Sequence, residues 1–130
     1  RNDEIYAIQL PFENFKIAAE KNNASGQFNM GQAYYYGEGV DQDYKLAFDW
    51  YQKAANQDYD LAYIQLSRYY EEGLVVPKNI PKAIELLEKP AKNGQSTAQY
   101  NLAILYRNEK NLDKFNYWKD MYTANPNADK

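Results

Sequence analysis

This sequence contains no histidine and no cysteine, so it offers no imidazole as a base or metal ligand, and its candidate metal ligands are carboxylates. Thiolate catalysis is therefore excluded, and a transition-metal site would have carboxylates alone as ligands. Asp41-x-Asp43 and Asp58-x-Asp60 have the spacing that opens a calcium-binding loop. Both lack the remaining ligands and the glutamate that closes such a loop, so helix capping explains them better than calcium binding.

Two other short patterns also fall short of a catalytic or phosphate-binding site. Glu71 and Glu72 could share the roles of acid and base, but a solvated helix end is the simpler interpretation. Gly37-Glu38-Gly39 is too short to cradle a phosphate and lacks the lysine of a P-loop. We therefore predict that the protein is not an enzyme, with no catalytic residue, no cofactor and no metal.

The elements that position these residues are predicted helices, which repeat along the chain. Landmark residues return 36 positions further on, and a second step of 36 reaches a third set. The corresponding residues are Met30, Leu66 and Leu102; Tyr34, Tyr70 and Tyr106; Gly37 and Gly73; and Ala47 and Ala83. A fixed period of this length is typical of a solenoid built from stacked helical repeats.

Each full repeat divides into two predicted helices. In repeat one the first helix runs from about Ala24 to Tyr36 and ends at Gly37, since glycine adopts the backbone angles of a helix end at low steric cost. Asp43 is a good N-cap for the second helix, and Asn79 and Asn111 are its equivalents. The second helices are predicted to end at residue types that tolerate a left-handed backbone, namely Asn22, Asp58 and Gly94.

The domain organisation follows from the period. We predict one repeat domain over residues 1–130, and its parts are a capping half repeat at 10–23, repeats at 24–58, 59–94 and 95–123, and a tail at 124–130. Pro11 is assigned to the first turn of the capping helix, where proline is tolerated. Pro90 is expected to kink its helix or end it near Lys89, because proline removes a helical hydrogen bond. The tail is expected to be frayed or disordered.

The buried sides of the helices are predicted from the same register. In repeat one they are Gly26, Met30, Ala33 and Tyr34 in the first helix, and Ala47, Trp50, Tyr51, Ala54 and Ala55 in the second. Small residues that let two helices approach closely are expected at Gly31, Ser67 and Ala103. Trp50 and Trp118 are expected to fill the space between neighbouring helix pairs.

These residues approximate the pattern LGxxYxxGxGVxxDxxKAxxWYxKAA, which is met by Met30-Gly31, Tyr34, Gly37, Gly39-Val40, Asp43, Ala47, Trp50-Tyr51 and Lys53-Ala54-Ala55. The pattern resembles the Sel-one-like repeat (SLR) family, a close relative of the tetratricopeptide repeat. The resemblance covers about Pro11 to Thr123 and is specific in the first full repeat. It is good in the second repeat, where Leu86 and Leu87 replace the Trp-Tyr pair, and partial in the third.

The resemblance implies an all-α fold, a right-handed α-solenoid of antiparallel helix pairs, with about three and a half repeats in this chain. In this family the first helix of each pair lines the concave face. Its members are adaptors and scaffolds in signalling, protein quality control and bacterial secretion or virulence, and some bacterial members neutralise secreted effector toxins. The resemblance therefore implies a protein-binding role.

The outward side of the three first helices, on the concave face, is the predicted partner-binding surface. Its predicted residues are Phe28, Asn29, Gln32, Tyr35, Tyr36, Leu61, Ile64, Gln65, Arg68, Glu71, Glu72, Tyr100, Asn101, Ile104 and Arg107. Within this set Phe28, Ile64 and Tyr100 form an apolar row, for which packing and binding are equally good interpretations. Tyrosine and arginine are enriched at interface hot spots. The centre of the site is therefore assigned to Tyr35, Tyr36, Arg68 and Arg107.

Charge and hydropathy narrow the class of partner. The chain has 15 basic and 18 acidic side chains, interspersed, and a formal charge of −3, which disfavours nucleic acid and anionic membranes as partners. No apolar run approaches the roughly 20 residues of a membrane span. The favoured partner is a protein or peptide, for example an effector toxin that the chain neutralises as a bacterial immunity protein. The absence of cysteine leaves the compartment open.

Two alternative functions stay open from the sequence. In one, the chain is a fragment of a longer scaffold or adaptor, since it opens with a half repeat and without methionine. The other belongs to a different class, in which the tyrosines and carboxylates bind or hydrolyse a carbohydrate.

Overall fold

The fold consists of α-helices joined by short turns. The computed structural model describes residues 3–128, with side chains from Pro11 onwards, and in this range there are seven helices and no strand. The helices are α1 (Asp3–Glu20), α2 (Ala24–Tyr36), α3 (Tyr44–Ala55), α4 (Asp60–Glu72), α5 (Ile80–Lys92), α6 (Ser96–Asn108) and α7 (Leu112–Ala124). The all-α fold class is confirmed. The chain divides into two compact units, with the boundary between Ala62 and Tyr63 in α4.

Side-chain caps fix where the second helices of the pairs begin. The side-chain oxygen of Asp43 accepts a hydrogen bond from the backbone N–H of Leu46 at 3.0 Å. Asn79 and Asn111 accept the equivalent bond, at 3.0 and 3.2 Å. Each cap satisfies one of the N–H groups that the first helical turn leaves without an intrahelical partner. The prediction that these three residues cap the helices is confirmed.

Left-handed residues follow the helices at equivalent positions. Asn22, Asp58 and Gly94, spaced by 36 residues, have φ of 62°, 60° and 90°. Gly37 and Gly73 follow α2 and α4 with φ of 69° and 70°. Asparagine, aspartate and glycine accept this conformation at low cost. The prediction that these residue types follow the helices with a left-handed backbone is therefore confirmed.

Val75 takes the position at which repeat one has Gly39. The φ angle is 61° at Val75 and 79° at Gly39, so both residues lie in the left-handed region. A β-branched side chain is rarely found there, because its Cβ crowds the backbone. Since Val75 is 49% exposed, it gains little from burial. The loop between α4 and α5 therefore contains a strained residue.

In the first unit, α2 packs against both α1 and α3. Gly31 lies against the ring of Tyr51, because a Cβ added to it would come within 2.6 Å of the ring carbons. Gly26 approaches α1 as closely, since its added Cβ would lie 2.7 Å from that of Ala18. Tyr51 is fully buried, and its hydroxyl donates a hydrogen bond to Oε1 of Gln32. The two glycines therefore let α2 lie directly on its neighbours.

In the second unit, α6 packs against both α5 and α7. Leu87 and Leu102 are fully buried and belong to a hydrophobic cluster that extends to Trp118. Burial of a leucine side chain of this kind contributes about 2 kcal/mol. The turn between α6 and α7 spans only residues 109–111, whereas the loop between α2 and α3 spans 37–43. The hydrophobic cluster forms in spite of this shorter connection.

The two ends of the chain differ from the prediction. α1 begins at Asp3, so Pro11 lies inside the helix and not in its first turn. The tail is ordered as far as Ala128, since Asn125 is only 8% exposed. Its side-chain nitrogen donates hydrogen bonds to the carbonyl of Gly94 at 2.8 Å and to Oε1 of Gln99 at 2.9 Å. The last two residues of the predicted tail, 129 and 130, lie outside the described residues.

Of the two effects predicted for Pro90, a kink or a helix end near Lys89, the helix end is wrong. The helix continues to Lys92, and Pro90 is fully buried within it. The carbonyl of Pro90 accepts a hydrogen bond from the N–H of Gln95 at 3.0 Å, which closes the helix end. Burial of the ring and this closing bond offset the helical hydrogen bond that proline removes.

The two tryptophans differ in burial. Trp118 is 6% exposed, as predicted for a residue between packed helices. Trp50 is partly exposed, and Nζ of Lys53 lies 4.3 Å from its ring centroid. The fully buried aromatic residue of α3 is its neighbour Tyr51. Successive helical side chains point about 100° apart, so the prediction of a space-filling Trp50 missed the centre of the buried face by one residue.

Candidate protein-binding surface

A groove between α1 and α2 brings together three of the predicted site residues of the first unit. Asn29, Gln32 and Tyr36 line it from α2, while Phe12 and Phe15 line it from α1. The groove has a volume of about 580 Å³, and its other lining residues are Pro11, Ala33, Gly37, Glu38 and Gly39. It is a mainly apolar surface with a few polar groups, which is the composition that ligand sites share.

Tyr35 lies in an aromatic cluster beside this groove. Its ring centroid is 4.9 Å from that of Tyr36, 5.0 Å from that of Tyr44 and 6.4 Å from that of Tyr51. Tyr36 is 49% exposed, whereas Tyr35 is partly buried. Tyr35 therefore holds Tyr36 in position, and Tyr36 presents the larger accessible surface to a partner.

Phe28 is a correction to the predicted surface. It is only 8% exposed, and its ring centroid lies 5.7 Å from that of Tyr51 and 5.2 Å from that of Tyr59. Its side chain belongs to the core of the first unit and is not available to a partner. Leu61, at the start of α4, is 39% exposed and does reach the surface.

The predicted residues of α4 that lie in the second unit also differ in their exposure. Ile64 is 8% exposed and belongs to the hydrophobic core, so its assignment to the binding surface is wrong. Gln65, Arg68 and Glu71 are partly buried, and Glu72 is exposed. Of the predicted apolar row, only Tyr100 lies at the surface, so packing is the correct interpretation for the other two members.

Charges of both signs meet at the C-terminal end of α4. Burial raises the pKa of Glu71 above 4.5, and the carboxylate of Glu72 raises it further. Arg68 and Lys78 lower it, because their positive charges favour the ionised carboxylate. The ionisation of Glu71 is therefore less favourable in the folded chain than in water, and a cation supplied by a partner would make it easier.

The predicted residues of α6 all reach the surface of the second unit. Tyr100 is 50% exposed, and its ring centroid lies 5.4 Å from that of Tyr122 in α7. Arg107 is exposed, while Asn101 and Ile104 are partly exposed. The helical register that selected them agrees with their exposure.

The sequence-based selection missed the α1 side of the groove. It used the first helices of the repeats only, and α1 corresponds to a second helix. The signal was present in the period, because Phe15 lies 36 positions before Tyr51 and thus at an aromatic position that faces the first helix of its pair.

Neither a metal-binding cluster nor a membrane-spanning helix is found in the described part of the chain. No group of three or more acidic side chains there is arranged to hold a metal ion. None of its helices combines the length and the apolar character that a bilayer crossing requires.

The sequence pattern of the Sel1 repeat matches three consecutive segments of the chain, residues 24–59, 60–95 and 96–117. The chain is 33% identical over 97 residues to Chitin synthase regulatory factor 3 of Schizosaccharomyces pombe. It is 35% identical over 90 residues to Protein sel-1 homolog 2 of Homo sapiens. These matches cover 72% and 68% of this chain but only 10% and 13% of the two relatives. The chain thus spans a small part of the length of its curated relatives.

Two solved structures share the fold. The chain superposes with a TM-score of 0.86 and 28% identity on a protective antigen present in uropathogenic Escherichia coli strains, which displays an SLR fold; 92% of this chain and 27% of that one are covered. A Sel1 repeat protein from Oxalobacter formigenes gives a TM-score of 0.82 at 31% identity, with 92% and 51% covered. The predicted resemblance is therefore confirmed. With three tandem matches over most of its length, this chain belongs to the Sel1 repeat family.

Proposed function

We propose that this chain is a non-catalytic module that binds a protein or peptide through the outward side chains of α2, α4 and α6. Sel1 repeat proteins are in general protein-interaction modules. The observation that carries the proposal for this chain is the open groove in which Asn29, Gln32 and Tyr36 meet Phe12 and Phe15. Carboxamides pair with the donors and acceptors of a polypeptide, and aromatic rings accept its apolar side chains.

Two narrower forms of this function differ in the partner. In the first, the chain is an immunity protein that neutralises an effector toxin. In the second, it is a segment of a scaffold or adaptor. The second form has support from the comparisons, because the matching segment makes up only 10% and 13% of two curated relatives, one of which is named a regulatory factor.

The test asks which side chains a partner depends on. The chain is immobilised, a partner is captured from cells that express it, and the purified pair is measured by calorimetry. Tyr36→Ala, Arg68→Ala and Arg107→Ala are each expected to weaken binding about thirtyfold, the effect of losing a hot-spot side chain. The controls are Lys82→Ala and Glu85→Ala, which remove an exposed ion pair on α5 with 3.7 Å between its charged atoms. They are expected to leave the affinity unchanged.

Each outcome separates the alternatives. If the α5 controls weaken binding and the other three variants do not, the outward side of the first helices is not the binding surface and the proposal fails. Capture of a toxin whose activity is then inhibited supports the immunity form, and capture of a multi-protein assembly supports the scaffold form. Binding to a glycan array after every protein partner has been removed supports the carbohydrate-binding alternative instead.

A further inference from the structure

The α1 side of the groove corresponds to the surface of α3 on which α2 packs, but in the groove this surface is open. Phe15 of α1 and Tyr51 of α3 are 36 positions apart and therefore hold the same place in their repeats. Tyr51 is fully buried, and Gly31 of α2 lies directly against its ring. Phe15 is partly exposed and lines the groove. The contact between α2 and α3 is thus a template for what fits on α1.

The α2 side of the groove is open as well. Ala33 holds the position that Tyr69 holds one repeat later, and its small side chain, only 4% exposed, lies at the floor of the groove. Asn29 and Gln32, which precede Ala33 in the helix, are partly exposed. Packed helices lie about 8–10 Å apart, so a trough with aromatic residues on one helix and the small Ala33 at its floor on the next suits a third helix.

We propose that this groove binds one amphipathic α-helix of a partner protein, which lies on Phe15 as α2 lies on Tyr51. The inference rests on the proposed protein-binding function and specifies the form of the ligand. In the template the residue over the ring is Gly31, at which a Cβ would come within 2.6 Å of ring carbons. The partner helix therefore carries glycine, alanine or serine over the ring of Phe15.

One difference between the groove and its template specifies a second ligand position. The hydroxyl of Tyr51 donates a hydrogen bond to Gln32, the residue that follows Gly31. Phe15 has no hydroxyl, so a carboxamide at the equivalent point of the partner helix would be desolvated without this bond, which is unfavourable. An apolar residue is therefore preferred directly after the small one.

Charge specifies a third position. Glu38 is the only charged residue among the ten that line the groove. It follows the C-terminal end of α2, so a helix oriented like α2 brings its own C-terminal turn to Glu38. The carbonyl end of a helix carries partial negative charge. A lysine or arginine in the last turn of the partner helix is therefore needed to offset the repulsion from Glu38.

The probe that tests this proposal is a labelled peptide with the sequence of residues 23–37 that carries Gln32→Leu and Tyr36→Lys. A second peptide carries Gln32→Leu and Tyr36→Glu. Fluorescence anisotropy with the full chain is expected to show that the lysine peptide binds more tightly than the glutamate peptide. Circular dichroism is expected to show that the peptide gains helix on binding. If neither peptide binds, or if the bound peptide gains no helix, the proposal is overturned.

Variants of the chain locate the binding site of the peptide. Phe15→Ala removes the central ring and Asn29→Trp fills the groove, and each is expected to weaken binding about tenfold or more. Glu38→Lys is expected to reverse the preference, so that the glutamate peptide binds better. Glu85→Lys makes the same charge change on α5 and is expected to leave the preference unaltered. Unchanged binding in the first three variants overturns the assignment.

Two readouts separate this proposal from the more general one. Thermal unfolding of each variant shows whether it is folded. If Phe15→Ala or Asn29→Trp is misfolded, the test rests on Glu38→Lys, which changes an exposed loop position. If the peptides fail while capture of the natural partner still depends on Tyr36, Arg68 and Arg107, the protein-binding function stands and the helical ligand is wrong. If capture does not depend on those residues either, both fail.

Discussion

Asn125 donates a hydrogen bond from its side-chain nitrogen to Oε1 of Gln99 at 2.9 Å. In the first unit, Gln57 makes the same bond to Gln27, also at 2.9 Å. Each donor bonds in addition to the carbonyl of the left-handed residue that precedes the first helix of its pair. A carboxamide beyond the second helix thus closes the helix pair at the end opposite its connecting turn, in both units.

This relationship predicts a stability difference between two truncations. Asn125→Ala leaves the 2% exposed Gln99 without a buried donor and is expected to lower the free energy of unfolding by about 1–3 kcal/mol. Gln57 is exposed, so water replaces its bonds, and Gln57→Ala is expected to cost less. Urea denaturation of the two variants checks this, with Asn116→Ala at an exposed position as the control. Equal losses in the two variants would contradict the role of burial.

The strained residue of the α4–α5 loop predicts a stabilising change. Val75→Gly relieves a left-handed conformation that costs about 1–2 kcal/mol in an L-residue. Glycine loses more backbone entropy on folding than valine does, which offsets about 0.5–1 kcal/mol of this gain. A net gain of up to about 1.5 kcal/mol in the free energy of unfolding is therefore expected. The control is Val76→Gly, since Val76 is not among the positive-φ residues and is partly buried; it is expected to destabilise. A lower melting temperature for Val75→Gly would show that the loop is not strained.

The different burial of the two tryptophans predicts that their truncation to alanine lowers the stability by different amounts. Trp118→Ala is expected to lower the free energy of unfolding by about 3–5 kcal/mol, because the side chain is 6% exposed and its loss leaves a cavity. Trp50→Ala is expected to cost less, since that ring is partly exposed and its removal opens the site to water. Chemical denaturation followed by circular dichroism measures both. A larger loss at Trp50 would mean that α3 is rotated from the orientation described.

The raised pKa of Glu71 predicts a pH-dependent stability. The ionised carboxylate is less favourable in the folded chain than in the unfolded chain, mainly because of burial. Its penalty is therefore absent below the ordinary value of 4.5 and fully present above the raised pKa. Glu71→Gln is expected to raise the melting temperature at pH 7 but not at pH 4.

Two measurements complete this test. Glu109→Gln, at an exposed position beyond α6, is the matched control and is expected to change the melting temperature little at either pH. Arg68→Ala removes a positive charge that lowers the pKa of Glu71, so a nuclear magnetic resonance titration is expected to show a further increase. A midpoint for Glu71 below 4.5 in the wild-type chain would contradict the assignment.

The period of 36 residues predicted most of the fold, because it reports local requirements that each repeat meets again. Capping at Asp43 and the left-handed turn at Asp58 depend on the residue itself and its immediate neighbours. The start of α1 could not be predicted in this way, because no earlier repeat in the chain supplies an equivalent. The continuation of α5 through Pro90 depends on burial that outweighs a local penalty, which the local pattern does not report.

The candidate site was predicted less completely, because helical register distinguishes only two sides of a helix. Phe28 lies on the side of α2 opposite Met30, yet both are buried. Apolar residues on the second side of such a helix are therefore not automatically accessible to a partner. Tyr36 is exposed, as the register predicted, because it is at the last turn of α2, where neighbouring elements cover less of the surface.

The short turn at residues 109–111 shows that the length of a helix connection is independent of what the helices contact. After this turn α7 is still capped by Asn111, still buries Trp118 and still delivers Asn125 to Gln99. In engineering terms, the turn is a permissive insertion point. A short foreign recognition sequence placed after Lys110 is expected to be displayed at the surface at the cost of the hydrogen bond from the N–H of Asn111 to the carbonyl of Tyr106, while Asn111 still caps α7.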